Sequence, residues 1–297
     1  MIFIFLFLFI FAFCDENPGT TIASFLNIGS GARPEAVGGS FVAVANDGNA
    51  MYWNPAGIYQ INKSIITGTY TAWFSDIKYS YIGIISKIEG NSFGFQFGFL
   101  HYGEFEEYGD EPNLIGKFYS YDFYTGISYS KEIFQNAGIG INLKYIHLNI
   151  ASETSNGVSI DFGFLFKEDV FSFGILLQNI GPKMKFIDEY YPIPTNAKIG
   201  CSIFFEDNGF ISFSIEVPID NKIKFSTGIE FILEQIVAVR IGYFTRFKKE
   251  YEGGLLQNFT GITAGIGIVQ KNYTIDYTFI PFGTLGNTHR ISFSILF

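Results

Sequence analysis

The strongest constraint on this chain is a two-residue hydrophobic period that begins near residue 64 and persists to the last residue. Such a period gives an extended segment one face for an apolar phase and one for something polar or small. Phe93, Phe95, Phe97 and Phe99 alternate with Ser92, Gly94, Gln96 and Gly98. Ile211, Phe213, Ile215 and Val217 oppose Ser212, Ser214 and Glu216, while Val237, Val239, Ile241 and Tyr243 oppose Arg240 and Gly242. About fourteen such segments are expected, at 64–74, 77–87, 92–102, 118–130, 137–150, 158–166, 170–180, 197–205, 210–217, 222–231, 236–244, 261–269, 273–280 and 288–297. Their lengths suit tilted strands crossing a bilayer, which need roughly 9–11 residues. In the second segment the facing is ambiguous, because Tyr79, Tyr81 and Ile85 compete with Ile82 and Ile84.

Composition decides what surrounds these strands. Residues are 48% hydrophobic and 16% charged, and Phe alone numbers 36 of 297, more rings than a soluble core of this size needs. After the leader, no stretch supplies the roughly 20 unbroken apolar residues of a spanning helix. A closed transmembrane β-barrel is the remaining way to satisfy the backbone in lipid. Connections sort by length: short at 89–90, 131–135, 167–169, 206–208, 234–235 and 270–272, long at 103–117, 151–157, 181–196 and 245–260, with a short exception at Ser75 and Asp76. Short periplasmic turns opposite long external loops are the habit of outer-membrane barrels.

The leader, MIFIFLFLFIFAFC, reads as a cleaved secretory signal, with Ala12 and Cys14 placed for processing before Asp15. Cys201 is then the one cysteine of the mature chain, leaving no disulfide and no metal-type spacing. The net charge of −9, without a basic stripe, excludes nucleic acid as a partner.

Residues 25–60 are different in kind, rich in glycine and small side chains. Gly29, Gly31, Gly38, Gly39 and Gly48 permit close approach, and Arg33-Pro34 starts a turn. Residues 40–45 are expected to pair as a short strand, and Asp47 to cap a helical turn through Ala50 and Met51. Asn54 is an N-cap type, Pro55 suits the first helical position, and Gly57 is expected to end the turn after Ala56.

The run GARPEAVGGSFVAVANDGNAMYWNPAG (31–57) resembles the N-terminal signature of PorV/PorQ-type outer-membrane proteins, relatives of the FadL family of hydrophobic-compound channels. LLQNIGPKMKF (176–186) followed by PIPTNAKIG (192–200) is similar to a mid-barrel segment of that group. The resemblance implies an all-β barrel of fourteen strands with an N-terminal hatch: a signal peptide at 1–14, the hatch at 15–62 and the barrel at 63–297. It implies passage of hydrophobic small molecules across the outer membrane of a Gram-negative-type bacterium, with hatch movement at Asn54, Pro55, Ala56 and Gly57. A PorV-like role, shuttling secreted cargo in type IX secretion, is the alternative. The terminal strand RISFSILF, ending at Phe297, resembles the signal read by the barrel assembly machinery.

Lumen-facing parity holds charges of both signs: Asp122, Lys144, Asp161, Lys198, Glu216, Lys224, Glu230, Arg240, Asp276 and Arg290. These are expected to pair across strands, Glu216 with Lys224, or with Arg33, Glu35 and Asp47 of the hatch. His101, His147 and His289 fall on lipid-side parity and would diverge around a barrel, which opposes a metal site and an enzyme; neither cofactor nor metal is expected. A phospholipase-like Ser/His/Asn set would need Ser152 beside His147. The acidic run 102–111 reads as a solvated loop, and Phe186, Tyr190 and Tyr191 as the surface for a partner or apolar ligand.

Overall fold

A computed structural model describes residues 18–108, 113–245 and 261–297. The leader 1–14 with Cys14, residues 109–111 of the acidic run and most of the 245–260 connection lie outside the described residues. Strands β1 (Ile65–Ala72), β2 (Lys78–Ile88), β3 (Asn91–Tyr108), β4 (Leu114–Phe134), β5 (Ala137–Ile150), β6 (Glu153–Lys167) and β7 (Phe171–Ile180) follow one another. A small hairpin of β8 (Met184–Phe186) and β9 (Glu189–Tyr191) comes next. Then come β10 (Asn196–Phe204), β11 (Gly209–Pro218), β12 (Lys224–Leu233), β13 (Val237–Phe244), β14 (Ile262–Val269), β15 (Tyr273–Pro281) and β16 (Asn287–Leu296). All except the hairpin form one closed antiparallel barrel, each strand beside its sequence neighbour and β1 paired with β16. At the seam Ile65 opposes Leu296, and Ser64 and Phe297 exchange backbone hydrogen bonds of 3.1 and 3.0 Å. Closure leaves no edge strand with unpaired backbone groups.

The alternation turns the large apolar side chains outward, where Phe93, Phe95, Ile127 and Ile241 are 44, 45, 61 and 55% exposed. An outward apolar band of this kind is what a membrane-spanning barrel presents to hydrocarbon. The ambiguous second segment resolves by the same rule: Tyr79, Tyr81 and Ile85 are buried inside, while Ile82 and Ile84 face out. Val217 departs from expectation. It shares the outward parity yet is buried with Ala197 and Leu177, packed by Ile180, Ile215 and Ile223.

Two expected connections are strand instead. β3 and β4 continue through most of 103–117 as a ribbon beyond the wall, with Phe105 stacked on Phe118 at 5.3 Å and Lys117 paired with Glu104. β6 begins at Glu153, which reduces the 151–157 connection to a two-residue turn at Ala151 and Ser152. Both stretches are too polar to resemble membrane strands, but beyond the hydrocarbon a ladder needs no apolar face.

Candidate functional site

Residues 28–61 lie inside the barrel and are buried or half-buried throughout. The chain before β1 forms short turns at Ser24–Asn27, Ala32–Ala36, Ala50–Trp53 and Pro55–Gln60. Asn54 caps the last of these as its sequence predicts: its side chain accepts the Ala56 N–H at 3.1 Å, with Pro55 at the first position. Gly57 does not end the turn, which runs on to Gln60; a Cβ there would stand 2.1 Å from the Ala45 carbonyl. Asp47 is likewise shifted from its expected role. Its carboxylate accepts the Asn49 N–H at 2.8 Å, an Asx turn placed ahead of the Ala50–Trp53 turn. Residues 40–45 are a turn, not a strand, because side chains take their backbone groups: Asn54 Nδ2 donates to Val42 O, Gln60 Nε2 to Val44 O, and Ser172 Oγ to Ala43 O.

The inner segment is bonded around most of the circumference. Asn54 Nδ2 also donates to Phe164 O on β6, Ser130 Oγ on β4 to Ala56 O, Gln178 on β7 to Tyr52 O, Thr263 on β14 to Ala36 O, and Ala32 N–H to Ser292 on β16. Wall and segment touch backbone to backbone where inward positions carry glycine. A Cβ would lie 2.3 Å from Val42 O at Gly174, 2.4 Å from Val37 O at Gly228 and 2.1 Å from Gly38 N at Gly242. These inward glycines alternate with outward phenylalanines and isoleucines, a signal legible in the sequence once a partner inside the barrel is sought. Replacing Asn54 with Ala removes the cap and both carbonyl contacts, so stability should fall by about 1–2 kcal/mol, read from urea unfolding of the detergent-folded barrel.

The segment is also held by charge. Arg33 grips Glu230 of β12 through two bonds of 2.8 Å and reaches Asp47 at 3.2 Å and Asn46 at 2.7 Å. Phe41 and Phe210 lie beneath its guanidinium. Burial pulls the Arg33 pKa down, but Glu230 and then Asp47 reverse it, leaving it above the ordinary value. Glu230 also meets Arg240 at 2.5 Å, and Arg240 meets Asp276 at 2.6 Å. Glu216 receives Lys224 at 3.0 Å, as predicted, and Lys198 at 3.4 Å. Asp161 holds Lys144 at 2.9 Å and accepts from Asn142 and from the Asn179 N–H. Asp122 makes no ion pair among the described residues; it accepts the Tyr102 hydroxyl at 2.6 Å instead. Leu100 and Leu148 stand opposite it on the neighbouring strands, and neither can supply a cation.

Cavities flank the segment at the two ends of the barrel. At the short-turn end, about 1130 Å³ is lined by polar and charged groups that include Lys87, Glu132, Lys167 and Asp169. At the other end, about 550 Å³ is lined by Tyr52, Trp53, Trp73, Phe244 and Phe282 together with the charged Glu35, Lys198, Glu216, Lys224 and Arg290. Lys198 rides over the rings of Trp53 and Tyr52, and Arg290 over Trp73. Arg290 further ties to the segment through Gly29 O and Glu35. This is a chamber between segment and wall in which rings and charged groups share the lining.

The connection between β7 and β10 folds over the neighbouring part of that mouth. Met184 and Ile193 are buried against Phe25 and Leu26, and Ile22 N–H donates to Pro192 O at 3.0 Å. Of the residues expected to meet a partner or an apolar ligand, Tyr190 and Tyr191 are 63 and 37% exposed on the β8–β9 hairpin, and Phe186 is half-buried. Buried Met184 and Ile193 give no periodic signal and were not foreseen. The histidines sit on the outer wall as expected. His147 Nδ1 meets Asn156 at 2.7 Å and its ring stacks on Phe123, so Ser152, in the turn past the strand end, forms no set with it. No group of His, Cys, Asp and Glu among the described residues could hold a metal ion.

Residues 15–145 match an uncharacterised protein family, UPF0164. No curated protein sequence matches the chain. A crystal structure of the P. putida toluene transporter TodX superposes with a TM-score of 0.64 at 11% identity, over 91% of this chain and 99% of that one. The fold is that of a FadL/TodX-type barrel. CymD, described as a monoaromatic hydrocarbon channel, gives a TM-score of 0.60 at 12% identity over 91% and 97% of the two chains. A Pseudomonas aeruginosa FadL homologue gives 0.55 at 13% identity over 88% and 96%. These FadL/TodX-type structures are described as transporters and channels, not as enzymes.

Proposed function

We propose that the chain is an outer-membrane conduit for hydrophobic small molecules, with residues 15–62 acting as its hatch and 1–14 as its export signal. The observation that carries this reading is the chamber between inner segment and wall, lined in part by Tyr52, Trp53, Trp73 and Phe282. Apolar molecules desolvate readily onto such rings, and the charged groups that share the lining orient them. Similarity to barrels described as a toluene transporter and monoaromatic hydrocarbon channels supports the same substrate class. Onward movement requires the segment to shift. The Asn54 to Gly57 turn is the proposed gating element, because Asn54 joins the segment to itself and to the wall.

The test is uptake of toluene into liposomes that carry the folded barrel. Wild type should accelerate uptake, Trp53→Ala with Trp73→Ala should slow it severalfold, and Asn54→Ala with Pro55→Ala should change it. Equal uptake by empty and protein-bearing liposomes would sink the proposal. The PorV-like secretion reading has the 31–57 resemblance behind it and no contact in the barrel; co-purification of a secreted protein with the barrel would favour it.

A further inference from the structure

Lys198 of β10, Glu216 of β11 and Lys224 of β12 stand side by side, because strand register sets Lys198 opposite Glu216 and Glu216 opposite Lys224. All three line the chamber. One carboxylate therefore serves two ammonium groups, Lys224 at 3.0 Å and Lys198 at 3.4 Å. Elsewhere in the same lining Arg290 pairs with Glu35. Among the described residues that line it, the chamber thus holds three cations against two carboxylates, an excess of one positive charge. The rings beside the two lysines belong to the inner segment. Lys198 Nζ lies 5.1 Å from the centre of the Trp53 ring and 5.7 Å from that of Tyr52. The indole N–H donates to Ser30 O at 2.8 Å and the phenol to Leu26 O at 3.1 Å, which holds both rings in place.

Such a lining is a poor match for a bare hydrocarbon. Filling the chamber with one would strip water from Lys224 and Glu216, whose side chains are 36% and 23% exposed, and would put nothing polar in its place. A guest with a flat ring and an anionic head meets both halves of the site. The ring packs on Trp53 and Tyr52, while the head takes over from the displaced water and balances the extra positive charge. The cavity, about 550 Å³, is of ordinary size for a small-molecule site. On a protein of net charge −9 the overall field does not draw an anion in, so this local excess decides where one settles.

Resting on the conduit reading, we propose that the molecules carried are aryl carboxylates of the benzoate class, with Lys198 and Lys224 as the carboxylate seat and Trp53 and Tyr52 as the ring platform. The head lies against the wall and the ring against the inner segment, so the ligand bridges the two parts of the protein.

The test titrates benzoate and its neutral isostere benzamide into the full folded barrel in detergent. Binding is read from the emission of the protein's two tryptophans, Trp53 and Trp73, both of which line the chamber. Wild type should bind benzoate about tenfold more tightly than benzamide, which is what one charge-assisted contact contributes. Lys198→Met and Lys224→Met should each remove most of that ratio and leave benzamide binding unchanged. Where the change at buried Lys198 prevents folding, Lys224→Met carries the test, since it keeps the pair of Lys198 with Glu216. Lys87→Met, in the cavity at the short-turn end, should behave as wild type. Equal affinity of wild type for the two compounds, or an unchanged ratio in Lys224→Met, overturns the proposal. The liposome assay separates this failure from that of the conduit. A barrel that speeds toluene uptake yet binds benzoate no better than benzamide remains a conduit without the carboxylate seat, whereas one that speeds uptake of neither toluene nor benzoate sinks both readings.

Discussion

A Glu230→Ala chain should be about 3–5 kcal/mol less stable than wild type, measured as urea unfolding of the folded barrel in detergent. Glu230 is 1% exposed and sits between Arg33 of the inner segment and Arg240 of the wall. Its removal strands two buried guanidinium groups, and Asp47 and Asp276 each replace only part of the lost contact. Arg33→Met alone should cost less, because Glu230 then still has Arg240. Combining Arg33→Met with Glu230→Gln should cost less than the two separate losses added, since the residues share one bidentate pair. A Glu230→Ala chain within about 1 kcal/mol of wild type would mean that lumen water screens this network as it does surface pairs.

Leucine at Gly174 and Gly242 together should unseat the inner segment and turn the barrel into a leaky pore. At both positions the first atom of any side chain would collide with segment backbone, at 2.3 Å from Val42 O and 2.1 Å from Gly38 N. Neither contact is the yielding end of a long side chain. Overpacking of this kind costs about 1–3 kcal/mol per site when the structure stays put, and displacement of the segment relieves it. Liposomes bearing the double variant should swell in small sugars that wild type excludes, and a protease should cut within residues 25–60. Retention of both the wild-type barrier and protease resistance would show that the wall, not the segment, gives way.

The barrel was legible because one rule, an apolar residue at every second position, acts on every strand independently. It placed all fourteen strands and the parity of Arg240, Glu230, Asp161 and Arg290. It misled where the rule does not apply: at 103–117 and 151–157, polar residues pair outside the hydrocarbon, and Val217 is covered by neighbours from its own end of the barrel. The inner segment was legible as different but not in its path. Local cues located the Asn54-Pro55 turn, yet the 40–45 stretch obeys long-range donors, Ser172 and Gln60 among them, that no local pattern reveals. Asp122 lacks a cation among the described residues for the same reason, since parity gives the face a charge occupies and not what stands across from it.

The strand that closes the ring, β16, is the last of the barrel strands to be made, and its mate β1 is the strand from which the inner segment hangs. Val37 and Val42 approach Gly228 of β12 and Gly174 of β7 so closely that no side chain fits between segment and wall. Such close seating favours assembly of wall and contents as one object, the curling sheet wrapping a guest it is already tied to, with the zipper from Ile65 to Ala72 drawn shut at the end.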